Sequence, residues 1–90
     1  MGRYRIEFAR SARKEFEKLP KRIRDRIVDA LELLSVNPHS EFLKVKKMRG
    51  GEDLFRLRFG HYRLVYEVRD HVLVVLVIKI GHRREVYKRF

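Results

Sequence analysis

The segments Asp53–Phe59 (DLFRLRF) and Tyr62–Arg69 (YRLVYEVR) read as alternating β-strands, and only Gly60-His61 separates them. A two-residue connection that begins with glycine predicts a tight β-hairpin, because glycine supplies the positive φ such turns need. Closing the hairpin sets its register by counting: Phe59 meets Tyr62, Arg58 meets Arg63, Leu57 meets Leu64, Arg56 meets Val65 and Phe55 meets Tyr66. Side chains alternate across a strand, so Phe55, Leu57, Phe59, Tyr62, Leu64 and Tyr66 share one face, an evident core. The opposite face carries Arg56, Arg58 and Arg63. Like charges set directly opposite each other cost a few tenths to about 1 kcal/mol. Such a cost is tolerated most readily where an anion is meant to sit, so this face is a candidate anion site. Removing Arg63 is expected to leave the fold intact, since it relieves repulsion.

The remainder of the chain supplies layers for that hairpin. Tyr4-Arg5-Ile6-Glu7-Phe8 alternates and predicts a first strand with Tyr4, Ile6 and Phe8 inward. Ala9, Ala12, Phe16 and Leu19 recur at helical spacing up to Pro20, and Ile23, Ile27, Ala30, Leu31 and Leu34 mark a second amphipathic helix that ends before Asn37-Pro38. The short spacer between them predicts a helical hairpin. Lys44–Arg49 is a basic stretch closed by Gly50-Gly51. Asp70-His71 reads as another tight turn into Val72–Ile80, which is apolar on both faces and therefore central or covered. Gly81 closes that strand and a basic tail, HRREVYKRF, follows. The expected architecture is α+β: an N-terminal strand, a two-helix hairpin packed on the aromatic face of an antiparallel β-meander, and a short basic tail. If the second turn also holds two residues, Arg63 lies beside Ile78 and Arg83 emerges at the same rim.

Composition narrows the partners. Ninety residues without cysteine make one modest domain, 1–90, with no disulfide to staple it. Lysine and arginine number 23 against 12 acidic residues, a net charge of +11. That imbalance favours polyanions, and nucleic acid suits it better than a membrane surface because the cations spread over helices, strands and tail. A heavily charged thermophile surface explains the number of charges but not their imbalance. The opening MGRYRIEF carries charges from its third residue, so no secretory leader is expected, and no apolar run approaches the ~20 residues of a membrane span. The expected location is the cytoplasm.

The R-x-R strand, the stretch Lys47-Met48-Arg49-Gly50, the strand Gly60-His61-Tyr62-Arg63-Leu64-Val65-Tyr66 and the tail Gly81-His82-Arg83-Arg84-Glu85-Val86-Tyr87 together resemble the RelE branch of the RelE/ParE toxin superfamily. The resemblance runs over essentially the whole chain and is most specific in these segments. It implies the toxin of a type II toxin–antitoxin system: a messenger-RNA interferase that enters the ribosomal A site, needs no metal or other cofactor, and is held inactive by a RelB-like antitoxin. It further implies that Arg56 and Arg58 grip RNA, that Arg63 stabilises the phosphate in flight, that Arg83 or Arg84 aids the leaving 5′-oxygen, and that Tyr87 stacks on or orients the scissile nucleotide. Lys44, Lys46, Lys47, Arg49 and Arg84 would contact phosphates, positioning RNA rather than reading it.

In one respect this chain departs from the family. Relatives place lysines where Arg56 and Arg58 stand, one of them a proposed general base, and arginine does not deprotonate in proteins. His82, which titrates nearest neutrality, Glu85 and Tyr87 are the candidate bases, beside a mechanism with none. His39, His61 and His71 sit in loops and turns and read as solvated. No histidine pair has metal-ligand spacing, and no glycine-rich phosphate loop is present. Asp25, Asp29 and Glu32 form a solvated or antitoxin-facing stripe. Two other functions share the composition: a ParE-like inhibitor of DNA gyrase, and a basic nucleic-acid-binding module without catalysis.

Overall fold

Residues 3–39, 43, 45–48, 53–84 and 86 are described by a computed structural model. They form β1 (Arg5–Phe8), α1 (Arg10–Glu17), α2 (Lys21–Val36), β2 (Val45–Lys47), β3 (Leu54–Phe59), β4 (Tyr62–Arg69), a 3-10 turn (Asp70–Val72) and β5 (Val74–His82). The expected α+β order is what the chain adopts. Pro20 stands just ahead of α2 with φ −56°, where its missing N–H costs nothing and its fixed φ starts the next helix. Ile23, Ile27, Ala30, Leu31 and Leu34 are buried along one stripe of α2. They pack with Ala12 of α1 against Leu57, Phe59, Leu64, Tyr66, Val68, Val75, Val77 and Ile80 of the sheet, with Tyr4, Ile6, Phe8 and Phe55 partly buried around them.

The sheet runs β1-β5-β4-β3-β2. The β3–β4 hairpin closes in the counted register, with Phe59 opposite Tyr62 and Arg58 opposite Arg63. Gly60 takes φ +55°, and a Cβ there would meet nothing within 4 Å. The backbone conformation, not crowding, is what asks for glycine.

The β4–β5 connection departs from the expected two-residue turn. Asp70–Val72 form a 3-10 turn and Leu73 follows at φ +53°, an uncommon conformation for a non-glycine residue. Its carbonyl accepts from Arg5 N–H at 2.7 Å, tying the turn to β1. Arg69 therefore pairs with Val74, two residues later than a Val72 partner. A bulge adds one more residue, because Val65 pairs with Lys79 while Tyr66 pairs with Val77, leaving Ile78 unpaired. The shift of three carries Arg63 from Ile78 to Gly81, and β5 runs on through Gly81 to His82.

At the bulge α1 is tied to the sheet. Phe8, the last residue of β1, pairs with Val77, and beyond it the Ile80 N–H donates to Glu15 Oε1 at 3.1 Å. Lys79 Nζ pairs with the other carboxylate oxygen, Oε2. β5 is thus an interior strand, parallel to β1 and antiparallel to β4, and Val74, Val75, Val77 and Ile80 are buried on its two faces. Val65 and Val74 face away from the helices by register and are still buried, as is Val86. The face opposite the helices therefore has an apolar floor.

Candidate active site

That face carries the cations. Arg58 and Arg63 are directly opposed across β3–β4, and Gly81 lies on the other side of Arg63. Arg58 is exposed, whereas Arg63 is 6% exposed. Arg63 folds back over the hairpin turn: Nη1 donates to Gly60 O at 2.7 Å and to Tyr62 O at 2.9 Å. Its guanidinium is thus fixed by main-chain carbonyls, which holds it in place for an anion without the reorganisation a free side chain needs. Arg58 also borders a cleft of about 420 Å³ between β3 and α2, lined by Arg26, Asp29, Leu33 and Gly60 among others.

The chain leaves β5 along the same rim. Tyr62 pairs with His82, and Arg83 N–H donates to His61 O at 2.7 Å, continuing the ladder past the turn. Arg83 and Arg84 then begin a helical turn, both exposed, and Arg84 N–H approaches His82 Nδ1 at 3.4 Å. The His61 and His82 rings lie 6.0 Å apart between centroids with planes 16° apart, and the Tyr62 ring meets His82 edge-on at 6.1 Å. One end of β3, β4 and β5 therefore gathers Arg58, Arg63, Arg83 and Arg84, while His82, paired with Tyr62, falls on the helix-side face with the His61 ring beside it.

The other residues expected at the site are more scattered. Arg56 stands one row away, opposite Val65 and Lys46, so Lys46 extends the cationic face. Lys47 pairs with Phe55 and falls on the helix side, away from the arginines. Lys44, Arg49, Glu85 and Tyr87 lie outside the described residues. His61 is the residue that sequence reasoning left without a role. Its place in the hairpin turn was visible, but the expected β4–β5 register put His82 out of its reach. Among the described residues no group of three or more histidine, cysteine, aspartate or glutamate side chains could hold a metal ion, and no helix is long and apolar enough to cross a membrane.

A buried guanidinium opposed by an exposed one, with two more guanidiniums at the strand end, can bind a phosphodiester and stabilise charge gained on its oxygens. Residues 6–87 match the family described as ParE toxin of type II toxin-antitoxin system, parDE. The chain belongs to this toxin family. Within it, relatives matched over nearly their whole length carry RelE and RelG toxin names. The mRNA interferase toxin RelE of Escherichia coli (strain K12) is 38% identical over 88 residues, spanning 93% of this chain and 90% of that protein. The isolated E. coli RelE toxin superposes with a TM-score of 0.78 at 34% identity, covering 96% of this chain and 93% of that one. The toxin from the archaeal RelE–RelB complex of Pyrococcus horikoshii OT3 gives a TM-score of 0.78 at 30% identity, covering 89% and 94%. The toxin is thus of the RelE type, with the helices and sheet of the RelE fold.

Proposed function

We propose that this toxin is a metal-free endoribonuclease that cleaves messenger RNA in the ribosomal A site and is neutralised by a RelB-like antitoxin. The observation that carries the reading is the in-register apposition of Arg58 and Arg63 at the end of the sheet where Arg83 emerges. Without a metal, RNA is cut when its own 2′-hydroxyl attacks the adjacent phosphate, leaving a 2′,3′-cyclic phosphate and a 5′-hydroxyl. The transition state gains negative charge on the non-bridging oxygens, and preorganised guanidiniums suit it. Arg63 is assigned to those oxygens, Arg83 or Arg84 to the leaving 5′-oxygen, Arg56, Arg58 and Lys46 to the RNA backbone, and Tyr87 to the scissile nucleotide. Positioning sugar and phosphate in line contributes comparably, and the ribosome shares that task. DNA lacks the nucleophile, so the substrate is RNA, and a ribosome-directed activity implies the cytoplasm.

The names of the full-length relatives, mRNA interferase among them, support this reading. So does the crystallised pairing of the archaeal RelE with RelB. Programmed ribosomes incubated with purified toxin provide the test. New 5′-hydroxyl ends within the A-site codon, formed equally well in the presence of a chelator, are the expected result. Intact message together with inhibited DNA supercoiling would favour the ParE-like alternative, and neither effect would leave a binding module.

A further inference from the structure

We infer that two copies of this chain associate through the open edge of β1, their Tyr4–Phe8 segments pairing antiparallel about Ile6 so that two five-stranded sheets become one continuous sheet. That edge lies three strands from β3, so nothing in the pairing depends on the ribonuclease reading.

β1 ends the sheet, with β5 on one side and, among the described residues, no strand on the other. Its main-chain groups divide by parity. Arg5 and Ala9 N–H donate to Leu73 O and Val77 O on the β5 side, at 2.7 and 2.8 Å. Successive residues of a strand turn their N–H and C=O to opposite edges, so Ile6 and Phe8 present theirs outward. Tyr4, in phase with them, shows the same direction: its N–H donates to Ser35 O of α2 at 2.7 Å. An edge with outward N–H and C=O groups is a template for another strand.

The composition of the edge says which strand fits. Tyr4-Arg5-Ile6-Glu7-Phe8 reads aromatic, cation, aliphatic, anion, aromatic. Laid antiparallel on itself about Ile6, it sets Arg5 opposite the partner's Glu7 and Tyr4 opposite the partner's Phe8, each twice. Ile6 then exchanges two hydrogen bonds with its symmetry mate, and each Phe8 N–H reaches a Tyr4 carbonyl. The Arg5 and Glu7 side chains are exposed and bridge each other at 2.8 Å within one chain, so both are at hand for the cross-strand pair. Other registers are disfavoured. A slip of two residues opposes Arg5 to Arg5 or Glu7 to Glu7, like charges face to face. A slip of one sets outward groups against inward ones.

On the helix side the pairing joins two grooves. Ile6, Phe8, Val28 and Leu31 line a cavity of about 490 Å³ between β1 and the helices, with Arg24 and Glu32 one turn to either side of exposed Val28. Because α2 runs back along β1 to meet Tyr4, the two-fold brings Arg24 and the partner's Glu32 to the same end of the shared groove. Arg24 Nε is the one buried side-chain nitrogen or oxygen among the described residues that lacks a hydrogen-bond partner, and the partner's carboxylate suits it. The cationic β3 and β2 strands stay at the two outer ends, which limits repulsion between copies of charge +11.

Sedimentation equilibrium of the purified chain tests this from about 1 µM to 1 mM, the span of weak association, in about 0.5 M salt to screen the net charge. The mass is expected to rise from 11.0 kDa towards twice that value. Arg5→Glu or Glu7→Arg alone opposes like charges and is expected to weaken association by about tenfold or more. The double variant Arg5→Glu with Glu7→Arg opposes unlike charges again and is expected to recover it. Melting temperatures check that every variant folds, and an exposed ion pair contributes little to them. Register is read by mixing Arg5→Cys chains with Glu7→Cys chains, since the sequence has no other cysteine. A non-hydrogen-bonded pair brings Cα atoms to about 4.5 Å, within disulfide range, so the mixed disulfide should exceed its statistical share. Amide exchange at Ile6 and Phe8 should slow as concentration rises. A constant mass of one chain, a double variant no better than the single ones, or a statistical set of disulfides would overturn the proposal. Protection of Ile6 and Phe8 that appears only on adding antitoxin would overturn it too, and would give the edge to an antitoxin strand.

Discussion

Arg63 is 6% exposed and its Nη1 donates to two carbonyls of the hairpin turn, so its removal is expected to weaken the fold as well as the proposed chemistry. Arg63→Ala should reduce single-turnover cleavage by about 10²–10³-fold, as for one lost oxyanion donor. It should also lower stability by about 1–3 kcal/mol in urea titration, because two part-buried hydrogen bonds from a charged donor are lost. The expectation of an intact or even more stable fold applies instead to exposed Arg58, whose replacement by alanine should be neutral or stabilising by up to about 1 kcal/mol. The apposition of the two arginines was legible in the sequence because a two-residue turn leaves one register. The burial of Arg63 was not, since main-chain carbonyls hold it and no side-chain pattern displays them. Tyr66 gives a second test at this scale. Its hydroxyl donates to Pro38 O at 2.9 Å, and burial pushes its phenol well above the ordinary value of 10.0. A raised folded-state value means that the stability from neutral Tyr66 is fully present below about pH 10 and is lost as pH rises beyond it. Tyr66→Phe should therefore be about 1 kcal/mol less stable than wild type at pH 8, with the gap closing in urea titrations above about pH 10.

Among the elements, β5 shows where sequence pattern stops being informative. Its apolar residues on both faces marked it as interior, and it is, between β1 and β4. Its register differs from the expected one because Val72 and Leu73 look like strand residues but belong to the connection, and because a bulge leaves no mark in an apolar run. β2 shows in the sequence only as a basic stretch, since three residues are too few for alternation to emerge. The bulge is held from outside the sheet by Glu15, whose side chain is 24% exposed and that of its partner Lys79 10%. Removing one member of so enclosed a pair strands the other, at about 3 kcal/mol, the low end of the buried range because Glu15 is still partly solvated. Glu15→Ala should show that loss on urea unfolding. The double variant Glu15→Leu with Lys79→Leu should recover much of it, because apolar replacement leaves no stranded charge.

For the molecule as a whole, the net charge of +11 sets how it meets its partners. A RelB-like antitoxin that covers the cationic face should bind more weakly as salt rises, chiefly through a slower association rate. Isothermal titration and stopped-flow mixing between about 0.05 and 0.5 M salt would show this, the Debye length shrinking by about threefold over that range. Affinity and association rate that do not change with salt would mean that apolar contact alone holds the complex. The parallel pairing of β1 with β5 bears on when a toxin can become dangerous at all. Residues 5–8 are synthesised early, yet their partners are residues 74–77, and β5 also completes the sheet beside β4. Closing so long a loop must await residues 74–77. While a ribosome is still making this protein, the N-terminal strand has nothing to pair with, and the rim that needs His61 against Arg83 does not yet exist. A chain able to disable translation thus cannot complete its sheet, or this rim, before residues 74–83 have been made.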